Sequence, residues 1–171
     1  MKYKYLLLFS ILVILLICIP FQQCFVIEAG KTGKVLAYFP LQKTDRVFHI
    51  EYTHSIHLSN VKETYEVLKN GEIQQIELMY EDTSIGMPSN AEDGETFEVM
   101  DGRYYIRNMK RTFPSIHMRT AQVVGEHILE VDQTSFSFSR VVEPGSLVII
   151  RVRRLALWQT WKGVNIIGRQ V

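Results

Sequence analysis

Beyond Ala29 no stretch of the chain keeps an i, i+3, i+4, i+7 apolar pattern for three turns. Short runs that alternate apolar and polar residues recur instead, separated by turn residues. That excludes a helical bundle and leaves strands as the only way to bury the apolar positions. "TFEVMDGRYYIR" is the strongest local signal. Asp101-Gly102 fits a two-residue type I′ turn, whose central residues both need positive φ. The register it sets pairs Val99 with Tyr104 and Phe97 with Ile106 on one face, so turn and apolar pattern agree.

Other strands read in the same way. "VLAYFPL" is the first, closed or edged by Pro40, and "IQQIELMY" comes after the Asn70-Gly71 turn. "SIHMRT", "HILEV", "FSFSRVV" and, after Glu143-Pro144-Gly145, "SLVIIRVRRLAL" complete the set. About eight to ten short strands imply an antiparallel β-sandwich or a closed or partly open β-barrel. The polar segment Ser89 to Glu95 reads as a loop within one domain, because neither half buries a good core alone.

One predicted hairpin breaks the rule that inward positions are apolar. In "RVFHIEYTHSI" the residues Phe48, Ile50, Tyr52, His54 and Ile56 share a face, as do Val61, Glu63, Tyr65 and Val67 in "VKETYEVL". With a turn at His57 to Asn60, His54 opposes Glu63 and Tyr52 opposes Tyr65. Slippage by two keeps the faces matched, whereas slippage by one exposes the whole apolar set. An opposed imidazole and carboxylate have Cβ atoms about 5 Å apart and satisfy each other's hydrogen bonds. Such a pair serves either as a structural network that fixes register or as a contact for a ligand or partner. Ser55 points to the other face of a regular strand, which leaves His54 without a nucleophile and makes a hydrolase a poor reading. His57 falls on the other side or in the loop, so no metal site is assigned and no cofactor is implied.

The N-terminus has a different character. Lys2 and Lys4 precede the apolar run Leu6 to Ile19, in which Ser10 is the only polar residue. Basic residues before such a run keep the N-terminus in the cytoplasm and send the downstream chain outward. The run has the length of a signal h-region, and with Tyr5, Pro20 and Phe21 it reaches the lower limit of a spanning helix. We therefore divide the chain into residues 1–28, a hydrophobic helix acting as membrane anchor or signal segment, and residues 29–171, an extracytoplasmic β-domain. The expected place is the cell membrane, single-pass with the domain outside; secretion after cleavage at the poor Ile27-Glu28-Ala29 site is the alternative, and lipidation at Cys24 a remote one. Cys18 and Cys24 both fall in the first segment, so this division leaves the β-domain without cysteine and without cysteine chemistry.

Charge narrows the partners. The formal net charge of +1 gives no sign of a nucleic-acid binder. From Glu28 to Asp101 the chain carries −8, and from Gly102 to Val171 it carries +7. Interleaved halves would neutralise each other; the alternative is a basic face that meets a partner or lipid headgroups. Separately, Arg103, Arg107, Lys110 and Arg111 make a basic hairpin arm, read either as solvated surface or as a contact for anionic lipid or an acidic partner. Trp158 and Trp161 near the C-terminus either cap the fold or sit at a membrane or partner interface. His117 and His127 read as surface or satisfied core residues.

The hairpin residues Phe48, Ile50, Tyr52, His54, Ser55 and Ile56, with "ETYEV" from Glu63, then "NGEI" and "SIGMP", resemble the domain of unknown function (DUF) 1850 family over roughly Val35 to Val152. The family's Gly-Ala-Gly-Leu-Pro type turn is here Ser84-Ile85-Gly86-Met87-Pro88, so Gly86 and Pro88 alone carry over. The resemblance implies a small, often membrane-anchored extracytoplasmic protein, similar to those encoded beside TAXI-type TRAP transporters, which import organic acids. It suggests an accessory that contacts a TRAP permease or binding protein. The residues themselves also allow a small-ligand-binding β-barrel module, with Tyr52, His54, Ser55, Glu63, Gly86 and Pro88 as the candidate contacts; no catalytic residue is assigned.

Overall fold

A computed structural model describes residues 2–41, 46–54, 58–83, 87–123 and 125–167. A helix, α1 (Lys2–Cys18), leads into twelve strands among the described residues: β1 (Gln22–Ala29), β2 (Val35–Pro40), β3 (Val47–Thr53), β4 (Asn60–Val67), β5 (Ile73–Tyr80), β6 (Thr96–Met100), β7 (Arg103–Phe113), β8 (Ile116–Arg119), β9 (Ile128–Val131), β10 (Thr134–Ser137), β11 (Leu147–Leu155) and β12 (Val164–Asn165). A short helix, α2 (Leu157–Lys162), precedes β12.

The strands form two open sheets, ordered β12-β2-β1-β11-β8 and β10-β9-β3-β4-β5-β7-β6. The fold is a mostly antiparallel sandwich, and the closed barrel is not formed. The core lies between the sheets. Phe25, Ile27, Phe39, Val148 and Ile150 of the five-stranded sheet meet Phe48, Ile50, Tyr65, Val67 and Leu129 of the seven-stranded one. Phe25 stacks on Phe39 and sets its edge on Phe48, with centroids 4.7 and 4.6 Å apart. A second apolar cluster, Val61, Leu78, Tyr80, Ile106 and Met109, fills the far end of the seven-stranded sheet beneath Met87 and Phe97.

The Asp101-Gly102 hairpin forms in the expected register, Val99 opposite Tyr104 and Phe97 opposite Ile106, with φ of 50° and 74° in the turn. A second two-residue turn of the same kind, Asp132-Gln133 with φ of 45° and 61°, joins β9 to β10. It carries no glycine, so its residues give no comparable signal. The segment "FSFSRVV" is only partly strand: β10 ends at Ser137, whose side chain caps a 3-10 helix over Phe138–Arg140.

The largest departure is at the N-terminal boundary. β1 begins at Gln22 and runs through the division placed after residue 28. It is a central strand, paired along its length with β11 and on its other side with β2. Cys24, Phe25, Val26, Ile27 and Glu28 are all sealed from solvent. Cys24 is thus part of the folded sheet, unbonded to Cys18, and burial pushes its thiol up to about 11. "QQCFVIEA" escapes the strand reading because it continues the apolar N-terminal run without a clear break and is apolar on both faces. The reason is structural: its inner residues face the sandwich core, while Cys24 and Val26 on the outer face are packed with Val35, Tyr38 and Leu155.

α1 leaves Leu6, Leu7, Leu8, Phe9 and Ile14 exposed, and α1 touches α2. No helix among the described residues is long and apolar enough to cross a membrane. On α2, Trp158 is part-exposed with Lys162 over its ring and Trp161 is largely exposed, so neither tryptophan is a buried cap.

Candidate functional site

The hairpin with an inward carboxylate has the predicted facing and a different register. β3 and β4 pair as Phe48 with Tyr65, Ile50 with Glu63, and Tyr52 with Val61. Directly opposed residues share a face, so Tyr52, Glu63 and Tyr65 all turn inward as expected. The direct opposition of His54 and Glu63 is not formed. β3 stops at Thr53, and the His54 backbone closes the loop: its N–H donates to the Ser59 carbonyl and its carbonyl accepts from Leu58 N–H. That loop is longer than the one assumed, so Glu63 faces Ile50 and the His54 backbone lies about 13 Å further along the strand. Burial decides the parity; loop length decides the partner, and the residues do not reveal it.

Glu63 finds tyrosines instead. On β4 it stands between Val61 of the far cluster and Tyr65 of the main core. The Tyr65 hydroxyl donates to Glu63 Oε2 at 2.8 Å, and Tyr52, diagonal to it across the hairpin, bonds the same carboxylate. Burial raises the Glu63 carboxyl above its ordinary value, and the two hydroxyl donors hold part of that rise back. Burial, with the neighbouring carboxylate second, raises both phenols, so both remain protonated donors at physiological pH.

This cluster lines a cavity of about 520 Å³ between the sheets. Tyr52, Glu63, Tyr65, Gln75 and Phe113 come from the seven-stranded sheet, Ile116, His117 and Met118 from β8 of the five-stranded sheet, and Ser115 from the connection between β7 and β8. His127 completes the wall. Its ring stacks on Tyr52 at 5.2 Å between centroids and on Phe138 at 6.2 Å. Nδ1 of His127 is out of contact with solvent and has no hydrogen-bond partner among the described residues. Burial lowers its pKa, which keeps the ring neutral at physiological pH. Gly125 brings this segment against β3: a Cβ there would lie 2.6 Å from the Thr53 carbonyl oxygen, and φ is +92°.

Of the candidate residues, Tyr52 and Glu63 are brought together. Ser55 and Gly86 lie outside the described residues. Pro88 does not line the cavity; its carbonyl accepts from the Tyr80 hydroxyl, and the neighbouring Met87 packs on the far cluster. His127, Tyr65 and Gln75 are absent from the candidate set. For His127 a signal exists, since it shares parity with the buried Leu129 and Val131. Within the cavity lining, Ser115 and His117 form the closest approach to a nucleophile and base, with Oγ and Nε2 3.0 Å apart. His117 is exposed, however, and among the described residues no carboxylate orients its other nitrogen. No group of three or more potential metal ligands occurs among the described residues.

The family model described as a domain of unknown function, DUF1850, matches residues 48–138. The chain belongs to the DUF1850 family. The match covers just over half of the chain, from β3 through the start of the 3-10 helix, and contains every residue that lines the cavity. It is narrower than the span from Val35 to Val152 read from the residues. Comparison with curated proteins and with solved structures found no match.

Proposed function

We propose that this DUF1850 protein is a small-ligand-binding module whose site is the cavity around Tyr52, Glu63, Tyr65 and His127. One observation carries the reading: a carboxylate sits inside a cavity of about 520 Å³, within the range of small-molecule sites, rather than in a filled core. A purely structural network would close over its polar groups. Here apolar walls and a few convergent polar groups border open space. Screening the full-length chain by thermal shift against small amines, acids, sugars and divalent metals tests it. Stabilisation by at least one compound, lost in Tyr65→Phe or Glu63→Gln protein that still unfolds cooperatively, is expected. Unchanged melting across the set would sink the proposal. Among the described residues the cavity offers no activated nucleophile, so we read a binder and not an enzyme.

A second reading follows what the sequence resemblance implies: an accessory of a TAXI-type TRAP transporter, touching its permease or binding protein, held at the cell membrane with the domain outside. Lys2, Lys4 and the exposed apolar α1, with Trp158 and Trp161 beside it on α2, support the membrane part. Co-purification of the tagged protein with a transporter subunit from gently solubilised membranes tests it. Recovery of the protein without any such subunit, together with unimpaired solute uptake after its deletion, counts against it.

A further inference from the structure

The lining of the cavity has a sign. Among the described residues that border it, Glu63 is the only carboxylate, and there is neither lysine nor arginine. His127 is half-buried and stacked between aromatic rings, and His117 stands at the exposed rim next to Ser115. The two tyrosine hydroxyls donate to Glu63 but do not exhaust it, since a carboxylate accepts about four hydrogen bonds. The cavity lining gives the carboxylate no positive counterpart, and a buried charge gains most from one that also donates hydrogen bonds. Tyr52, Tyr65 and Phe113 add aromatic faces that attract cations, while Ile116 and Met118 offer an apolar wall. A carboxylate ligand would instead meet a like charge with no cation to balance it.

We infer that the cavity takes a small organic ammonium ion with an apolar body, its nitrogen donating to the Glu63 carboxylate between Tyr52 and Tyr65. This rests on the cavity being a binding site, and it names a ligand class opposite in charge to the organic acids that the transporter resemblance suggests.

Three probes share one body and differ in head group: 2-phenylethylamine, 3-phenylpropionate and 2-phenylethanol. Calorimetric titration of the full-length chain at neutral pH should show the amine binding about tenfold or more tightly than either of the others, the margin of a charge-assisted hydrogen bond. Glu63→Gln should remove that preference. Tyr52→Phe, which keeps the carboxylate, should weaken the amine and leave the order of the three unchanged, which separates loss of charge from loss of fold. Equal or tighter binding of the acid or the alcohol overturns the ammonium assignment while leaving a binding cavity. Binding of none of the three, and of nothing in the wider screen, removes the cavity reading and this inference together.

Discussion

Glu63 sets the chemistry of the interior at the scale of one residue. Its pKa is raised from the ordinary 4.5, so between 4.5 and its folded value the native state holds a proton that the unfolded chain has released. Stability from this group is therefore fullest below about 4.5 and is lost as pH rises through the folded value. Glu63→Gln keeps an acceptor for the tyrosines and removes the buried charge. At neutral pH the variant should match or exceed the parent by about 1 kcal/mol in urea unfolding, and the difference should shrink toward pH 4. A loss of stability at neutral pH would mean that the carboxylate is a structural anchor after all. His127 acts with the opposite sign, because its lowered pKa makes stability fall as pH drops below 6.5. The inward facing of Tyr52 and Glu63 is legible in the alternation of the hairpin. His127 is not, because the site is closed in space by a segment far along the chain, and only parity with Leu129 and Val131 hints at it.

Among the elements, β1 carries the most consequence for what must stay attached. Cutting after Ala29 would remove a strand hydrogen-bonded on both edges, together with the buried Phe25 and Ile27 and the Glu28 that pairs with Arg151 and Arg153 at 2.5 and 2.7 Å. A chain starting at Phe21 should fold and melt cooperatively, whereas one starting at Gly30 should give no cooperative transition by circular dichroism. Equal melting of the two would contradict the pairing of β1. Turns and alternation make ten of the strands visible in the sequence, including the full register of the Asp101-Gly102 hairpin. β1 stays hidden because burial on both faces erases the alternating pattern. β12 is hidden too, being only two residues long and parallel to β2.

Over the whole molecule several of the opposed charges of the two halves pair with each other. Arg103 pairs with Glu81, Arg107 with Glu77 and Glu98, and Arg111 with Glu92 and Glu95. The basic arm seen in the sequence is therefore knitted into its own fold, as interleaving predicts. These pairs are unequal. Glu95 is 5% exposed and takes two bonds from Arg111, while Arg103 is 50% exposed and 3.4 Å from Glu81. Arg111→Ala should lower stability by about 1–3 kcal/mol by stranding Glu95, and Arg103→Ala by under about 1 kcal/mol, both read from urea midpoints. A reversed ranking would refute the assignment. The adjacency of β1 and β11 also dictates an order of events. Residues near the start of the chain find their neighbour only after nearly the last strand has been synthesised, so this sandwich is completed late. Until then the edge of β1 that β11 will cover is open to mispairing, and the sheet cannot close before that late strand exists.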